Sequence, residues 1–321
     1  MAKLLYIRDV NNNLLLLGVS EEGESVRYTL SRSLYADMIR FTLHCTEEST
    51  LDFFALYLSD ENNLRWGESA SDNRSIVGLG ESGAEPDRDE WGAGTVWSSN
   101  FGEALPYQLY LMHKNTASYR VNGSKRPSTR RETLGVKITP RLTDEWSLQF
   151  DGIGQIGENG SGDTLYGSSA YAGVKWKSAS AGSVKPFASA GFLFMSGSKD
   201  TKETYGGHGA WDPMWSRSVR YSEIFLGGTH YATCWWSNMY YARLEAGIDL
   251  GARHNLTWSS GPMFAAAQDR LGGADGSYKG YLNTLHYNFP LILADKDKGE
   301  RFEVFGHLHL ELFNPGDYFE T

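Results

Sequence analysis

"YYARLEAGIDL", residues Tyr240–Leu250, separates into two lists when every second residue is read. Tyr240, Ala242, Leu244, Ala246, Ile248 and Leu250 form an apolar row, and Tyr241, Arg243, Glu245 and Asp249 form a polar, mostly charged one. A period of two marks an extended strand whose faces meet different surroundings.

The pattern recurs outward from this segment. In "ADMIRFTLHC" (36–45), Ile39, Phe41, Leu43 and Cys45 oppose Met38, Arg40, Thr42 and His44. In "ETLGVKITP" (132–140), Leu134, Val136 and Ile138 oppose Thr133, Gly135, Lys137 and Thr139. In "EWSLQFDGIGQIG" (145–157), Trp146, Leu148, Phe150 and Ile156 oppose Ser147, Gln149, Asp151 and Gln155, and in "YAGVKWK" (171–177), Ala172, Val174 and Trp176 oppose Tyr171, Lys175 and Lys177. The tail "RFEVFGHLHLELFNPGDYF" (301–319) sets Phe302, Val304, Gly306, Leu308, Leu310 and Leu312 against Glu303, Phe305, His307, His309, Glu311 and Phe313, the second row charged or ionisable except for its two phenylalanines. Weaker candidates occupy 51–59, 107–114, 186–196, 221–231, 256–266 and 280–292. The total is roughly ten to fourteen strands, and sustained helical periodicity is scarce. Several strands are long, near the ~9–11 residues a tilted membrane-crossing strand needs. Strands of ordinary globular domains average about five or six.

Two β architectures fit alternation. A sandwich turns its apolar face inward, whereas a membrane barrel turns it to lipid and its polar face to a wet lumen. Strand length, an apolar row of Leu, Ala, Gly, Val and Phe, and aromatic clusters near strand ends favour the barrel. Those clusters are "CWWSNMYY" (234–241), "WDPMW" (211–215) and "PGDYF" (315–319), read as interfacial girdles. The expected fold is therefore an all-β, antiparallel up-and-down transmembrane β-barrel, incomplete or open, in one domain spanning 1–321. Short connections at 140–144 and 177–183 alternate with longer ones at 158–165 and 197–220, although 251–255 is short where a long loop is due. The polar stretch 62–103 reads as a long loop or a plug.

The 321 residues carry a formal charge of -9, which argues against a nucleic-acid partner. The basic cluster "SKRPSTRRE" (124–132) reads as a solvated loop. Mean hydropathy is -0.42, and no apolar run is long enough for a spanning helix. The apolar runs near the N-terminus are too short for a secretory signal. Cys45 and Cys234 stand in no metal or redox spacing.

Enzymatic signals are poor. "GGHGAWDP" (206–213) offers no nucleophile, and no GxSxG, HExxH, phosphate-binding or dinucleotide-binding motif stands in its proper context. Glu245 and Asp249 could be a glycosidase carboxylate pair, but beside Arg243 they read better as lumen charge. His307, His309 and Glu311 share a strand face, where successive side chains are ~6.5–7 Å apart. That is too far for a tight metal site, so the reading is a hydrated polar wall, without metal or cofactor. Arg40, Lys137, Lys175, Arg243, Glu245, Asp249, Glu303, His307, His309 and Glu311 are thus the expected pore-lining residues.

"WDPMWSRSVRYSEIFLGG" followed by "WWSNMYYARLEAGI", and the tail "HLHLELFNPGDYF", resemble the alginate-export family of outer-membrane β-barrels. The matching positions are Trp211, Asp212, Pro213, Trp215, Arg217, Ser222, Glu223 and Asn238, then Pro315, Gly316, Asp317 and Tyr318. The resemblance covers about 131–319. It implies a monomeric outer-membrane channel, in contact with lipid, that passes anionic polysaccharide or other carbohydrate-like solutes. Where the family has a signal peptide and a further strand this chain has neither, so a fragment with an unpaired edge is expected. The competing expectation is a secreted, soluble β-rich protein that binds or degrades carbohydrate, its Trp and Tyr rings stacking on sugars.

Overall fold

The computed structural model describes residues 37–58, 89–101, 104–121, 124–179, 182–198, 209–212, 214, 238–251, 254–267, 276–292 and 304–317. The strands are β1 (Asp37–Thr46), β2 (Ser49–Leu58), β3 (Glu90–Phe101), β4 (Leu105–Thr116), β5 (Tyr119–Val121), β6 (Ser124–Arg126), β7 (Thr129–Ile138), β8 (Trp146–Asn159), β9 (Thr164–Lys177), β10 (Lys185–Met195), β11 (Met239–Gly251), β12 (His254–Phe264), β13 (Tyr278–Ile292) and β14 (Val304–Pro315). Twelve of them form one sheet in the order β1-β2-β3-β4-β7-β8-β9-β10-β11-β12-β13-β14. Each pairs antiparallel with its neighbours, and β5 and β6 form a separate hairpin between β4 and β7. No ladder joins β1 to β14 among the described residues. The described residues form an all-β, antiparallel up-and-down transmembrane β-barrel with no ladder between β1 and β14.

The two faces are inverted relative to a water-soluble protein. Leu134 is 65% exposed and Leu244 58%, whereas Lys114 is 2% and Arg131 1% exposed. Phe41, Leu111, Ile156, Leu308, Leu310 and Leu312 join the outward row, and Asp52, Glu90, Asp151, Gln155 and Arg243 the inward one. Large apolar side chains left in water forfeit about 1.5–3 kcal/mol each, and a continuous outer belt of them suits hydrocarbon. Aromatic rings border that belt at both ends. Trp97, Trp146 and Trp258 face out toward one rim, and Tyr57, Trp91, Tyr166, Tyr240 and Phe264 toward the other. Rings with a polar handle settle at the headgroup level.

Glycines on the inner face let aromatic side chains lie flat against the wall. Gly173 and Gly191 are register partners of β9 and β10, and a Cβ on either would collide with Tyr171. A Cβ on Gly135 would collide with the Tyr110 ring, and one on Gly247 with Phe187. Gly191→Ala should therefore cost about 1–3 kcal/mol through overpacking. Gly154→Ala, whose Cβ would meet nothing within 4 Å, should be neutral by comparison. Denaturant unfolding of the refolded protein in lipid checks the pair, and equal midpoints would contradict the packing.

The connections fall on two rims. The antiparallel order puts the β1–β2, β3–β4, β7–β8, β9–β10, β11–β12 and β13–β14 junctions on one rim, the short-turn rim, and the β2–β3, β4–β7, β8–β9, β10–β11 and β12–β13 junctions on the other, where the longest stretches of sequence lie between strands. On the first rim, Glu145 accepts from the Ala179 amide (3.0 Å) and the Trp176 indole (3.2 Å), which hold its carboxyl below the usual range.

Several expectations change. Residues 90–101, within the expected 62–103 loop or plug, are strand β3, laddered between β2 and β4. Its inner positions include Gly92 and Gly94, the latter leaving room for the Phe54 ring, so the polar–apolar contrast is weak. Residues 62–88 lie outside the described residues. The basic cluster 124–132 is not simply a solvated loop, because its Arg131 is buried inside the barrel. The 158–165 connection is a tight turn, with Asn159 Oδ1 accepting from the amides of Ser161 and Asp163, both at 3.0 Å. The short 251–255 connection breaks no alternation, since β10 pairs directly with β11 and places it on the short-turn rim. The candidate strand 221–231 lies outside the described residues.

Candidate functional site

The long connection between β10 and β11 sends a segment back into the barrel. Ala210, Trp211 and Met214 are buried, and a Cβ added to Gly167 on the β9 wall would meet the Ala210 carbonyl at 2.8 Å. The Trp211 amide donates to the Ser196 carbonyl (3.0 Å), where β10 has just ended. Trp211 is thus an interior residue and not part of a girdle at the lipid interface, as the aromatic cluster suggested. Of "CWWSNMYY", Tyr241 also points inward and is buried, while Tyr240 faces out; residues 234–237 lie outside the described residues.

Asp212 anchors the segment. Lys114 Nζ, from β4, lies 3.1 Å from Asp212 Oδ1 and 3.5 Å from Glu90 Oε1 of β3. Arg131 Nε, from β7, lies 3.5 Å from Asp212 Oδ2. Lys114 also donates to the Met214 carbonyl (2.6 Å). Gln155 of β8 grips the Asp212 backbone from both sides, its Nε2 donating to the carbonyl (2.8 Å) and its Oε1 accepting from the amide (2.9 Å). Two buried cations thus face two carboxylates, the arrangement that makes burial of charge tolerable. Met214 adopts φ 59°, a left-handed conformation uncommon for a non-glycine residue, with its amide bonded to Asp212 Oδ1 (2.6 Å). Trp211 belongs to one buried apolar cluster on the inner wall with Ile153, Tyr171, Leu193, Met195, Met239, Tyr241, Met263, Leu282 and Phe313.

Asn238 closes the same connection. Its φ of 52° suits asparagine, and its side chain donates to the Ala267 carbonyl (2.9 Å) and accepts from the Ala267 amide (2.6 Å). This clamps the start of β11 to the β12–β13 loop. At the tail, Asp317 Oδ1 accepts from the Tyr278 amide (3.1 Å), and the Gly316 amide donates to the Lys279 carbonyl (3.1 Å), so the turn after Pro315 folds onto the start of β13. Pro213, Trp215, Arg217, Ser222, Glu223 and Tyr318 lie outside the described residues.

The described residues expected to line a pore lie on the inner face, where ion pairs and hydrogen bonds engage them. Arg40 makes a two-pronged pair with Asp52 (3.0 and 2.8 Å), Arg243 pairs with Glu245 (2.5 Å), and Asp249 with Lys177 (2.9 Å) and Asn255 (2.7 Å). Lys137 and Lys175 are half-buried toward the short-turn rim. His307 bonds Asn288 (2.7 Å), and His309 lies 2.8 Å from both His286 and Glu311. Glu303 lies outside the described residues. Glu245 and Asp249 face separate partners, which does not assemble a glycosidase pair. Sequence reading missed Glu90, Lys114, Arg131, Gln155 and His286. For the middle three, the inner alternation of β4, β7 and β8 is the available signal: Lys114 continues the row of Tyr110 and Met112, and Arg131 that of Thr133 and Gly135.

No family model matches the chain, and no curated protein matches it. A solved structure of a mutant of the ferric enterobactin receptor from Pseudomonas aeruginosa is similar at 11% identity and a TM-score of 0.37. The alignment covers 80% of this chain and 41% of that receptor, so the chain spans about two fifths of the receptor's length.

Proposed function

We propose that the protein is an outer-membrane channel of the alginate-export type, passing anionic polysaccharide or other carbohydrate-like solutes through a lumen narrowed by the Ala210–Met214 segment. The observation that carries this reading is a loop segment anchored through Asp212 by buried charge inside a barrel whose exterior is apolar. A purely structural barrel needs no inserted loop, whereas a channel uses one to restrict passage. In this reading the long-loop rim faces outside the cell and the short turns face the periplasm. Lys137 and Lys175 would draw anionic solute toward the short-turn mouth, and paired charges such as Arg243–Glu245 would guide without capturing it. The channel would work as a monomer.

Purified protein reconstituted in planar bilayers should give discrete conductance steps. Exchange of Lys137 and Lys175 for Gln should move the reversal potential under a salt gradient toward cation selectivity. A protein that stays soluble and folded without detergent, and never conducts, would favour a secreted carbohydrate-binding protein. An unchanged reversal potential would remove the two lysines from the account.

A further inference from the structure

We propose that His286, His307 and His309 form a binding site for a divalent transition-metal ion of the zinc or copper type on the inner wall between β13 and β14. The strand register creates what spacing along one strand could not. His286 lies opposite His309, and Asn288 opposite His307, so a third imidazole sits between the two tail histidines. The His286 ring centroid is 4.1 Å from that of His309 and 5.5 Å from that of His307. One nitrogen from each ring can be chosen so that the three lie within 4.8 Å of one another. Tetrahedral zinc–imidazole bonds of about 2.0–2.1 Å place ligand nitrogens about 3.3 Å apart, so modest ring rotations close the site.

The surrounding acceptors already orient these rings as ligands. His309 Nε2–H donates to the buried Glu311 carboxylate (2.8 Å), which leaves Nδ1 as the lone-pair nitrogen. That Nδ1 lies 2.8 Å from His286 Nδ1. Two imidazole nitrogens at this distance share one proton, and a metal ion can take its place. His307 Nδ1–H donates to Asn288 Oδ1 (2.7 Å), leaving Nε2 free of its proton. An acceptor behind a ligating imidazole fixes its tautomer and raises its basicity, as in carboxylate–histidine–metal arrangements. Three imidazoles suit zinc or copper, and a fourth position would be left for water. The site depends on the pairing of β13 with β14 and not on transport activity.

The test uses full-length protein refolded in detergent, stripped with EDTA, exposed to Zn²⁺ and dialysed. About one zinc per chain should remain, and His307→Ala, whose ring is exposed, should lose it without disturbing the fold. Glu311→Gln should still bind zinc but about 10–100-fold more weakly. With Cu²⁺ in place of zinc, the electron paramagnetic resonance spectrum should show nitrogen couplings that His286→Gln diminishes. Failure of the wild-type protein to retain zinc, or retention of zinc at the wild-type level by His307→Ala or His286→Gln, would overturn the proposal. A protein that binds zinc in this way but does not conduct would overturn the channel reading alone.

Discussion

Replacing Asp212 with Ala is expected to release the inserted segment and raise single-channel conductance. Its carboxylate lies within 3.5 Å of Lys114 and Arg131, both buried in the barrel. Without it, Glu90 is the carboxylate left beside Lys114 in this cluster. Removing one partner of a buried ion pair destabilises by about 3–5 kcal/mol, because the remaining charge is stranded away from water. The barrel wall can survive this, since its ladders do not pass through residue 212. What then remains to hold the segment is Gln155, the Trp211 amide, the contacts of Lys114 and Thr133 with Met214, and its own apolar packing, all without an ion pair. Asp212→Glu keeps the charge and should retain most of the wild-type conductance. Planar-bilayer recording decides the matter, and identical conductance in wild type and Asp212→Ala would mean that the segment does not narrow the lumen.

Leu244→Arg is expected to destabilise the lipid-embedded protein by about 2–4 kcal/mol, the cost of a cation at the lipid face near the bilayer centre. Leu244 lies midway along β11 and faces out. Gln149→Arg introduces the same cation on the inner face, where Gln149 already donates to Asp151 (2.7 Å), and should change stability little. Urea titration of both variants in lipid vesicles measures the difference. Equal stability would show that the outward row does not contact hydrocarbon.

β11 was legible because nearly every outward residue is apolar and the inward row carries Arg243, Glu245 and Asp249. β3 was not, because Gly92 and Gly94 stand where contrast was needed, and their role appears only when Phe54 packs over Gly94. The inserted segment was illegible for a different reason. "WDPMW" has the composition of an interfacial cluster, and the burial of Trp211 within it goes with the pairing of Asp212 to Lys114, 98 residues earlier. No local pattern reports a pairing over that distance. His286 lay inside a weak candidate strand, and its importance rests on the β13–β14 register. The charges on the inner face were identifiable, yet their mutual neutralisation was not, because cross-strand partners such as Arg40 and Asp52 depend on which residues end up opposite and adjacent.

The apolar row of each strand faces lipid, and the polar row faces the interior. This facing is tested most directly by spin labels placed one at a time from Tyr240 to Leu250, in a Cys45→Ser, Cys234→Ser background reconstituted in vesicles. Oxygen concentrates in hydrocarbon, so its collisions with the label should peak at positions 240, 242, 244, 246, 248 and 250 and fall at each position between them. Peaks at the odd positions, or no period of two, would contradict the account.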